Sequence, residues 1–474
     1  MRWRSFFSVL AAAAALAACA LKSPPEAKDV QAEALPNVKV PGAWSALGGA
    51  SGAVADNWLA DFRDPQLEAL VREALAYNPD LRVAAARVEQ AAGLVTAAGA
   101  TLYPQVNLLA RGGGQLGGDA SSLQGAGIFA NWELDVWGRV RAGREASQLQ
   151  YVSTALDTEY ARQSIAALVA KSWFIATEAR LQKALAEAGE RGAAQLVALA
   201  RDRKRVGSGS EYEVALAETN LRTYRDSVQQ LDAAYQQALR ALETLAGRYP
   251  SATLAVPAEL PPAGPVPAGL PSELLERRPD VIAAERRVAA AFYRVEEAKA
   301  ARLPRISLTA SGTSISSELF ILKNVDNPVW SLGANLLQPI FLGGLLQAQV
   351  DIRSAEQKQA IAEFGRTGAR AFADAENALT GSFTADAREA TLAQAEAERQ
   401  RMVEFAQVRY RVGNGDLRAV AQEQLYLYSA RVARLRMQSE RLVQRVNLYL
   451  ALGGSFERPP AVPSGATPTG EPPR

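Results

Sequence analysis

"NPDLRVAAARVEQAAGLVTAAGATLYPQVNLLA", residues 78–110, decides how the rest of the chain is read, because it occurs twice. Set against "RPDVIAAERRVAAAFYRVEEAKAARLPRISLTA", residues 278–310, it aligns without a gap. The identities include Pro79/Pro279, Asp80/Asp280, Arg87/Arg287, Val88/Val288 and Pro104/Pro304. A second pair of matching words follows further on, "RVGSG" at 205–209 and "RVGNG" at 411–415. A repeat of about 200 residues is far beyond the roughly 20–50 of solenoid units, so a whole half-domain has been duplicated. Between the halves runs a proline-rich link with Pro250, Pro257, Pro261, Pro262, Pro265, Pro267 and Pro271, which cannot continue a helix.

Both halves have the same internal order. Pro79 and Pro279 suit the first turn of a short helix, and Pro104 and Pro304 mark its end. The period then changes to two. Val106, Leu108 and Ala110 alternate with Asn107 and, imperfectly, Leu109; Ile306, Leu308 and Ala310 alternate with Ser307, Thr309 and Ser311. Second strands follow: Ile128, Ala130, Trp132 and Leu134 in one half, and Trp330, Leu332, Ala334 and Leu336 in the other. Four strands are expected, each with one apolar and one polar face.

Proline then disappears, from 105 to 249 and again from 340 to 458. Val214, Ala217, Leu221, Tyr224, Val228, Leu231, Tyr235, Ala238, Leu242 and Leu245 keep an unbroken 3-4 spacing. Leu425, Tyr428, Val432, Leu435, Ser439, Leu442, Val446 and Tyr449 keep it with one polar position. This is a coiled-coil period. A helix is expected from about Arg139 to Arg205, roughly 100 Å long at 1.5 Å per residue, a length suited to crossing an aqueous gap. Each Arg-Val-Gly-x-Gly is then the turn of a long helical hairpin. Gly207/Gly209 and Gly413/Gly415 are expected to supply the backbone dihedrals of the reversal.

Composition narrows function. The 474 residues contain no histidine and one cysteine, which removes His-dependent triads, His or Cys zinc sites and disulfides within the chain. A formal charge of +2 gives no pull toward nucleic acid. No catalytic constellation and no cofactor motif stand out. "GGGQLG" (112–117) matches a dinucleotide-binding pattern in letters only, because it lies between two strands rather than before a helix. The chain is therefore read as a non-enzyme with no cofactor and no metal.

The start of the chain carries an address. "MRWRSFFSVLAAAAALAAC" has Arg2 and Arg4, a short apolar run and then Cys19, the pattern of a secretory signal. "LAAC" resembles a bacterial lipobox, which implies cleavage before Cys19 and lipidation of its thiol. Ala20, rather than an aspartate, is compatible with onward transport to the outer membrane. No other apolar run is long enough for a transmembrane helix. Four strands cannot close a barrel, since small barrels need about eight. An open sheet in lipid would leave unsatisfied edges. Strands in a membrane must therefore be pooled from several chains, and three chains would give twelve. A soluble sheet packed on a core is the alternative that alternation leaves open.

In this order and spacing, several words resemble the outer-membrane factors of the TolC family, lipidated NodT/OprM-like branch. They are "WLADFRDPQLEALVREALAYNPDL" (58–81), "WELDVWGRVRAG" (132–143), "RRPDVIAAERRVAAA" (277–291), "LQPIFLGG" (337–344) and both hairpin tips. The resemblance covers about Trp58 to Gly453. It implies an α+β fold made mostly of long coiled-coil hairpins. A homotrimer would form a helical barrel continuous with a twelve-stranded transmembrane β-barrel, four strands per chain, plus a mixed equatorial domain. The segments are then a removed signal (1–18), a lipid-anchored and equatorial N-terminal segment (19–77), repeat 1 (78–249), an equatorial linker (250–277), repeat 2 (278–452) and a C-terminal tail (453–474).

The same resemblance implies a passive efflux duct in the Gram-negative outer membrane. Such a duct carries small molecules from an inner-membrane pump, of resistance-nodulation-division type, through a periplasmic adaptor. Val206, Gly207, Val412 and Gly413 match the tip motif that meets the adaptor. Glu213 matches an acidic position at the periplasmic entrance constriction; Gln422 stands as its counterpart in the second half, and Asp416 is a nearby source of charge. The competing reading is a lipid-anchored periplasmic coiled-coil adaptor or scaffold without a pore. Adaptors carry one hairpin, and this chain carries two.

Overall fold

The structure is a computed structural model that describes residues 22–46, 52, 54, 56–111, 124–262, 264, 267–316 and 328–457. Cys19, the signal, the loop 112–117 and the tail beyond Glu457 lie outside the described residues. The helices are α1 (Ala27–Ala34), α2 (Pro65–Tyr77), α3 (Pro79–Ala100), α4 (Arg139–Arg205), α5 (Glu211–Leu245), α6 (Leu274–Arg277), α7 (Pro279–Ala300), α8 (Leu345–Arg411) and α9 (Leu417–Ala451). The strands are β1 (Gln105–Arg111), β2 (Gln124–Leu134), β3 (Arg305–Ser316) and β4 (Pro328–Leu337). Each repeat thus runs short helix, strand pair, 67-residue helix, 35-residue helix. No helix among the described residues is long and apolar enough to cross a membrane.

The chain forms two compact units, and each draws on both repeats. One takes Met1–Val38, Ala85–Thr158 and Asp280–Ala369; the other takes Lys39–Ala84, Glu159–Pro279 and Arg370–Arg474.

The first unit holds the sheet, antiparallel throughout in the order β1-β2-β3-β4. Its register gathers the apolar residues into cross-strand rows. Leu108 faces Ile128, Ile128 faces Gly312, and Gly312 faces Trp330; the next row is Val106, Ala130, Ala310 and Leu332. Because strand side chains alternate between faces, all of these lie on one face, while Asn107, Asn131, Thr309 and Asn335 lie on the other. Gly312 is required here: a Cβ would come within 2.7 Å of the Trp330 ring, which lies over it. Leu109, Phe129 and Leu337 are large apolar residues on the polar face. At the helix end of the sheet, Trp132 Nε1 donates to Leu102 O at 2.9 Å and Trp137 Nε1 donates to Pro304 O at 2.7 Å. The first bond ties the end of β2 to the turn that leads into β1, and the second ties the turn after β2 to the residue that leads into β3.

In the second unit the "WLADFRD" word is a clamp. Trp58 stacks on Tyr449 with ring centroids 5.7 Å apart, and Phe62 packs against Phe174. Asp61 accepts a hydrogen bond from the Tyr449 hydroxyl, while burial drives that hydroxyl's pKa up to about 12. Asp64 serves two elements at once. Its Oδ1 caps α2 through Gln66 N (3.0 Å) and Leu67 N (3.1 Å), and its Oδ2 accepts from Trp173 Nε1 at 2.8 Å. Losing a helix cap costs about 1 kcal/mol, and orphaning a buried indole N–H costs about 1–3 kcal/mol more. Asp64→Ala is therefore expected to destabilise this unit by about 2–3 kcal/mol, and Asp64→Asn, which keeps an acceptor, by about half of that. Denaturant unfolding followed by tryptophan fluorescence measures both, and equal effects would remove the two-bond account.

Candidate functional site

The hairpin tips are two copies of one turn, built by backbone hydrogen bonds. At the first, Gly207 N donates to Lys204 O at 3.0 Å and Ser208 N to Arg203 O at 2.9 Å. At the second, Gly413 N donates to Tyr410 O at 3.2 Å and Asn414 N to Arg409 O at 2.9 Å. This paired pattern is a Schellman ending, which needs its glycine in the left-handed region. Gly207 has φ +78° and Gly413 has φ +83°.

The second glycine of each pair has another task. Neither Gly209 nor Gly415 has a positive φ, which corrects the expectation that both glycines supply unusual dihedrals. Each is pressed against the helix it follows instead. A Cβ on Gly209 would lie 3.0 Å from Lys204 N, and one on Gly415 would lie 3.2 Å from Tyr410 N. One glycine turns the chain and the other lets it pass close by.

The returning helices are capped differently. Ser210 and Glu213 form a reciprocal capping box at α5: Glu213 N donates to Ser210 Oγ at 3.2 Å, and Ser210 N donates to Glu213 Oε2 at 3.0 Å. At α9 the acid is itself the cap, with Ala419 N donating to Asp416 Oδ1 at 2.7 Å. Asp416 therefore matches Ser210, and Glu213 is matched by Ala419. Gln422 lies one turn further along and is exposed, so by cap position it is not the counterpart of Glu213. The offset of 206 between the two tips fixes this, because it maps 213 onto 419.

The two tips are joined through a small core. Val197, Ala200, Val214 and Ala217 of the first hairpin pack with Tyr410, Leu417 and Val420 of the second. Arg203 crosses between them, its guanidinium 4.5 Å from the Tyr410 ring centroid and Nη2 donating to Ser208 O at 3.1 Å. Burial pushes the Tyr410 hydroxyl pKa up, and Arg203 works against that shift. Outside this core Val206 and Val412 are 69% and 66% exposed. The two apolar side chains thus stand exposed at matching positions on the two turns. The first tip neutralises its own charges through Arg201–Glu218, Lys204–Glu211 and Arg205–Asp202.

One buried carboxylate with a structural task escaped the sequence reading. Glu243, near the end of α5, is 1% exposed and receives Ala252 N (2.7 Å), Thr253 N (2.8 Å) and Leu254 N (3.0 Å). It anchors the start of the proline-rich link. Burial alone would raise its pKa, but the backbone donors of Ala252, Leu254, Thr253 and Ser251 outweigh burial and hold it below the ordinary value. A lone acid near a helix end, followed by a proline-rich stretch, is the only signal the sequence carries for this.

Comparison with known proteins agrees with the geometry. The family described as "Outer membrane efflux protein" matches residues 70–248 and 270–454. Among curated relatives, the pyoverdine export outer membrane protein OpmQ of Pseudomonas aeruginosa is 33% identical over 446 residues, covering 88% of this chain and 91% of that one. The cation efflux system protein CusC of Escherichia coli K12 is 29% identical over 453 residues, covering 93% and 97%. Among solved structures, the outer-membrane channel OprN superposes with a TM-score of 0.78 at 27% identity, covering 89% of this chain and 99% of that one. The open-state MtrE channel of Neisseria gonorrhoeae gives 0.79 at 27% identity, covering 93% and 98%.

Proposed function

The chain belongs to the outer membrane efflux protein family and is the outer-membrane channel component of an efflux system, and from that premise we propose that it works as a homotrimeric, passive exit duct. The observation that carries this is the sheet. Its four strands hold most of their apolar residues on one face in register, while among the described residues β1 and β4 each have a partner on one side only. In lipid, every backbone N–H and C=O must be paired, so such a sheet is admissible only when further copies close it. Three copies give twelve strands. A pore-free scaffold would have no use for this arrangement.

In this reading the tips meet a periplasmic adaptor, with Val206 and Val412 as the apolar contacts and Gly207 and Gly413 setting their position. Glu213, Asp416 and Gln422 line the approach to the entrance. Glu213 and Asp416 each have one carboxylate oxygen committed to a backbone N–H, which fixes where their charge sits. Cys19 carries the lipid anchor. The driving pump, of resistance-nodulation-division type, chooses the cargo. Relatives named for pyoverdine, for cations and for toluene share this framework, so a common duct serves different small molecules. We assign the duct no catalytic step of its own.

The test is single-channel recording of the detergent-extracted protein in planar bilayers, with Cys19→Ser carried on a substitute signal beside wild type. Discrete conductance steps are expected from both, because the pore comes from the strands and not the lipid. Silence from both, together with a Cys19→Ser protein that stays soluble without detergent, would overturn the duct.

A further inference from the structure

The junction of strands and helices is built twice. Adding 200 to residue numbers in α3 and β1 gives α7 and β3, and adding 206 to those in α4 gives α8. In each repeat a cavity opens between the short helix and the first turns of the long one. The first cavity is about 400 Å³ and is lined by Leu94, Ala97, Ser147 and Gln150. The second is about 410 Å³ and is lined at the corresponding places by Arg294, Glu297, Arg353 and Glu356. Arg139, Arg294 and Glu297 touch both cavities. Arg305, which lines the second, stands where the first repeat has Gln105.

The fold therefore does not require charge at this place. The same backbone closes over leucine, alanine, serine and glutamine in one repeat and over arginine and glutamate in the other. Stability does not account for the difference either. Arg294–Glu297 and Arg353–Glu356 are i,i+3 pairs on their own helices, with all four side chains part-exposed, and pairs of that kind contribute little. Their guanidiniums can turn to a ligand at small cost. Arg139 is held more firmly, forked onto Glu133 at 2.9–3.1 Å. Arg305 is exposed and has no ion pair among the described residues. Four guanidiniums thus meet three carboxylates, those of Glu133, Glu297 and Glu356, and one positive charge is left over.

Register fixes the side of the sheet on which this happens. Glu133 lies opposite Ser307, and Arg305 lies opposite Leu337. By alternation both share the face of Asn131, Thr309 and Asn335, away from the apolar rows. In a closed barrel that face lines the water-filled interior, so a solute of the lumen reaches these arginines and a lipid does not.

We propose that the cavity lined by Arg139, Arg294, Arg305 and Arg353 binds a small soluble oxyanion, a phosphate or carboxylate compound, where the strands meet the helices. Guanidinium forks match the paired oxygens of such groups. The volume falls within the range of small-molecule sites, about 300–1,000 Å³. Three copies place three such sites around one lumen, and a ring of positive charge favours anions in a pore. The proposal rests on the duct reading for its lumen and adds the class of solute that the duct holds.

The first repeat supplies the test variant. Arg305→Gln with Arg353→Ser installs the residues that the first repeat carries at those positions, which this backbone already accommodates. Titration calorimetry of the detergent-purified protein with inorganic pyrophosphate should show binding to wild type, and binding weaker by about tenfold or more in the double variant. In planar bilayers under a KCl gradient, the anion-to-cation permeability ratio should fall by about twofold. Equal pyrophosphate binding by both proteins, with an unchanged permeability ratio, would overturn the site. A phospholipid that native mass spectrometry finds on wild type and not on the variant, without any difference in pyrophosphate binding, would give the arginines to a lipid headgroup and overturn the lumen assignment. Pyrophosphate binding that depends on the two arginines in a protein that never conducts would uphold the site and overturn the duct beneath it.

Discussion

A double variant Gly207→Val, Gly413→Val is expected to lose at least nine-tenths of its export while assembling and reaching the membrane normally. Both glycines sit in the left-handed region, at φ +78° and +83°, where a β-branched residue is strained by about 1–2 kcal/mol or more. Neither position is crowded, since a Cβ at either meets nothing within 4 Å. The damage is therefore confined to the turn, which leaves the Schellman geometry and moves Val206 and Val412. Asparagine tolerates the left-handed region, so Gly207→Asn, Gly413→Asn should export at close to the wild-type rate. Gly209→Ala is the complementary control, because there the difficulty is space beside Lys204 N. Export is read as dye or antibiotic accumulation in cells lacking their own channel. Wild-type accumulation in the valine pair would sink the docking role of the tips.

Removal of the Glu243 carboxylate should have a large effect on stability. Glu243→Ala takes the acceptor from three part-buried backbone donors, and since water reaches some of them the loss is expected to be about 2–3 kcal/mol. The pH dependence follows from the lowered pKa. A carboxyl whose folded pKa lies below its unfolded value contributes stability that is complete above the unfolded value, ordinarily near 4.5. That contribution is lost as pH falls from there through the folded value. Wild type should accordingly lose stability below about pH 4.5 more steeply than Glu243→Gln, which has no charge to lose. Thermal unfolding in detergent from pH 7 to 3 measures the difference, and parallel curves would show that this carboxylate is not the titrating anchor.

Much of the architecture was legible because it is written in local periods. Alternation at Ile306, Leu308 and Ala310 specified a strand face, and the registers place those residues opposite the apolar residues of β2 and β4. The absence of proline from 105 to 249 and the 3-4 spacing after Val214 specified a long hairpin, observed as Arg139–Arg205 and Glu211–Leu245. At the tips the reading was half right. Two glycines marked a reversal, but only the first has the turning dihedral. Letters alone do not separate a glycine chosen for φ from one chosen for its missing Cβ.

What the sequence by itself determined is what neighbouring residues enforce on each other: helix, strand, turn, the duplication and, through it, the family. The tertiary structure alone decided the pairings between distant residues. Arg203 lies over Tyr410 from 207 positions away, and Asp64 reaches Trp173 from 109. Periodicity reports which side of an element is apolar, because that follows from the repeat angle of the backbone. Which partner lies across the gap depends on how the folded chain brings separate helices together, and no local pattern encodes it.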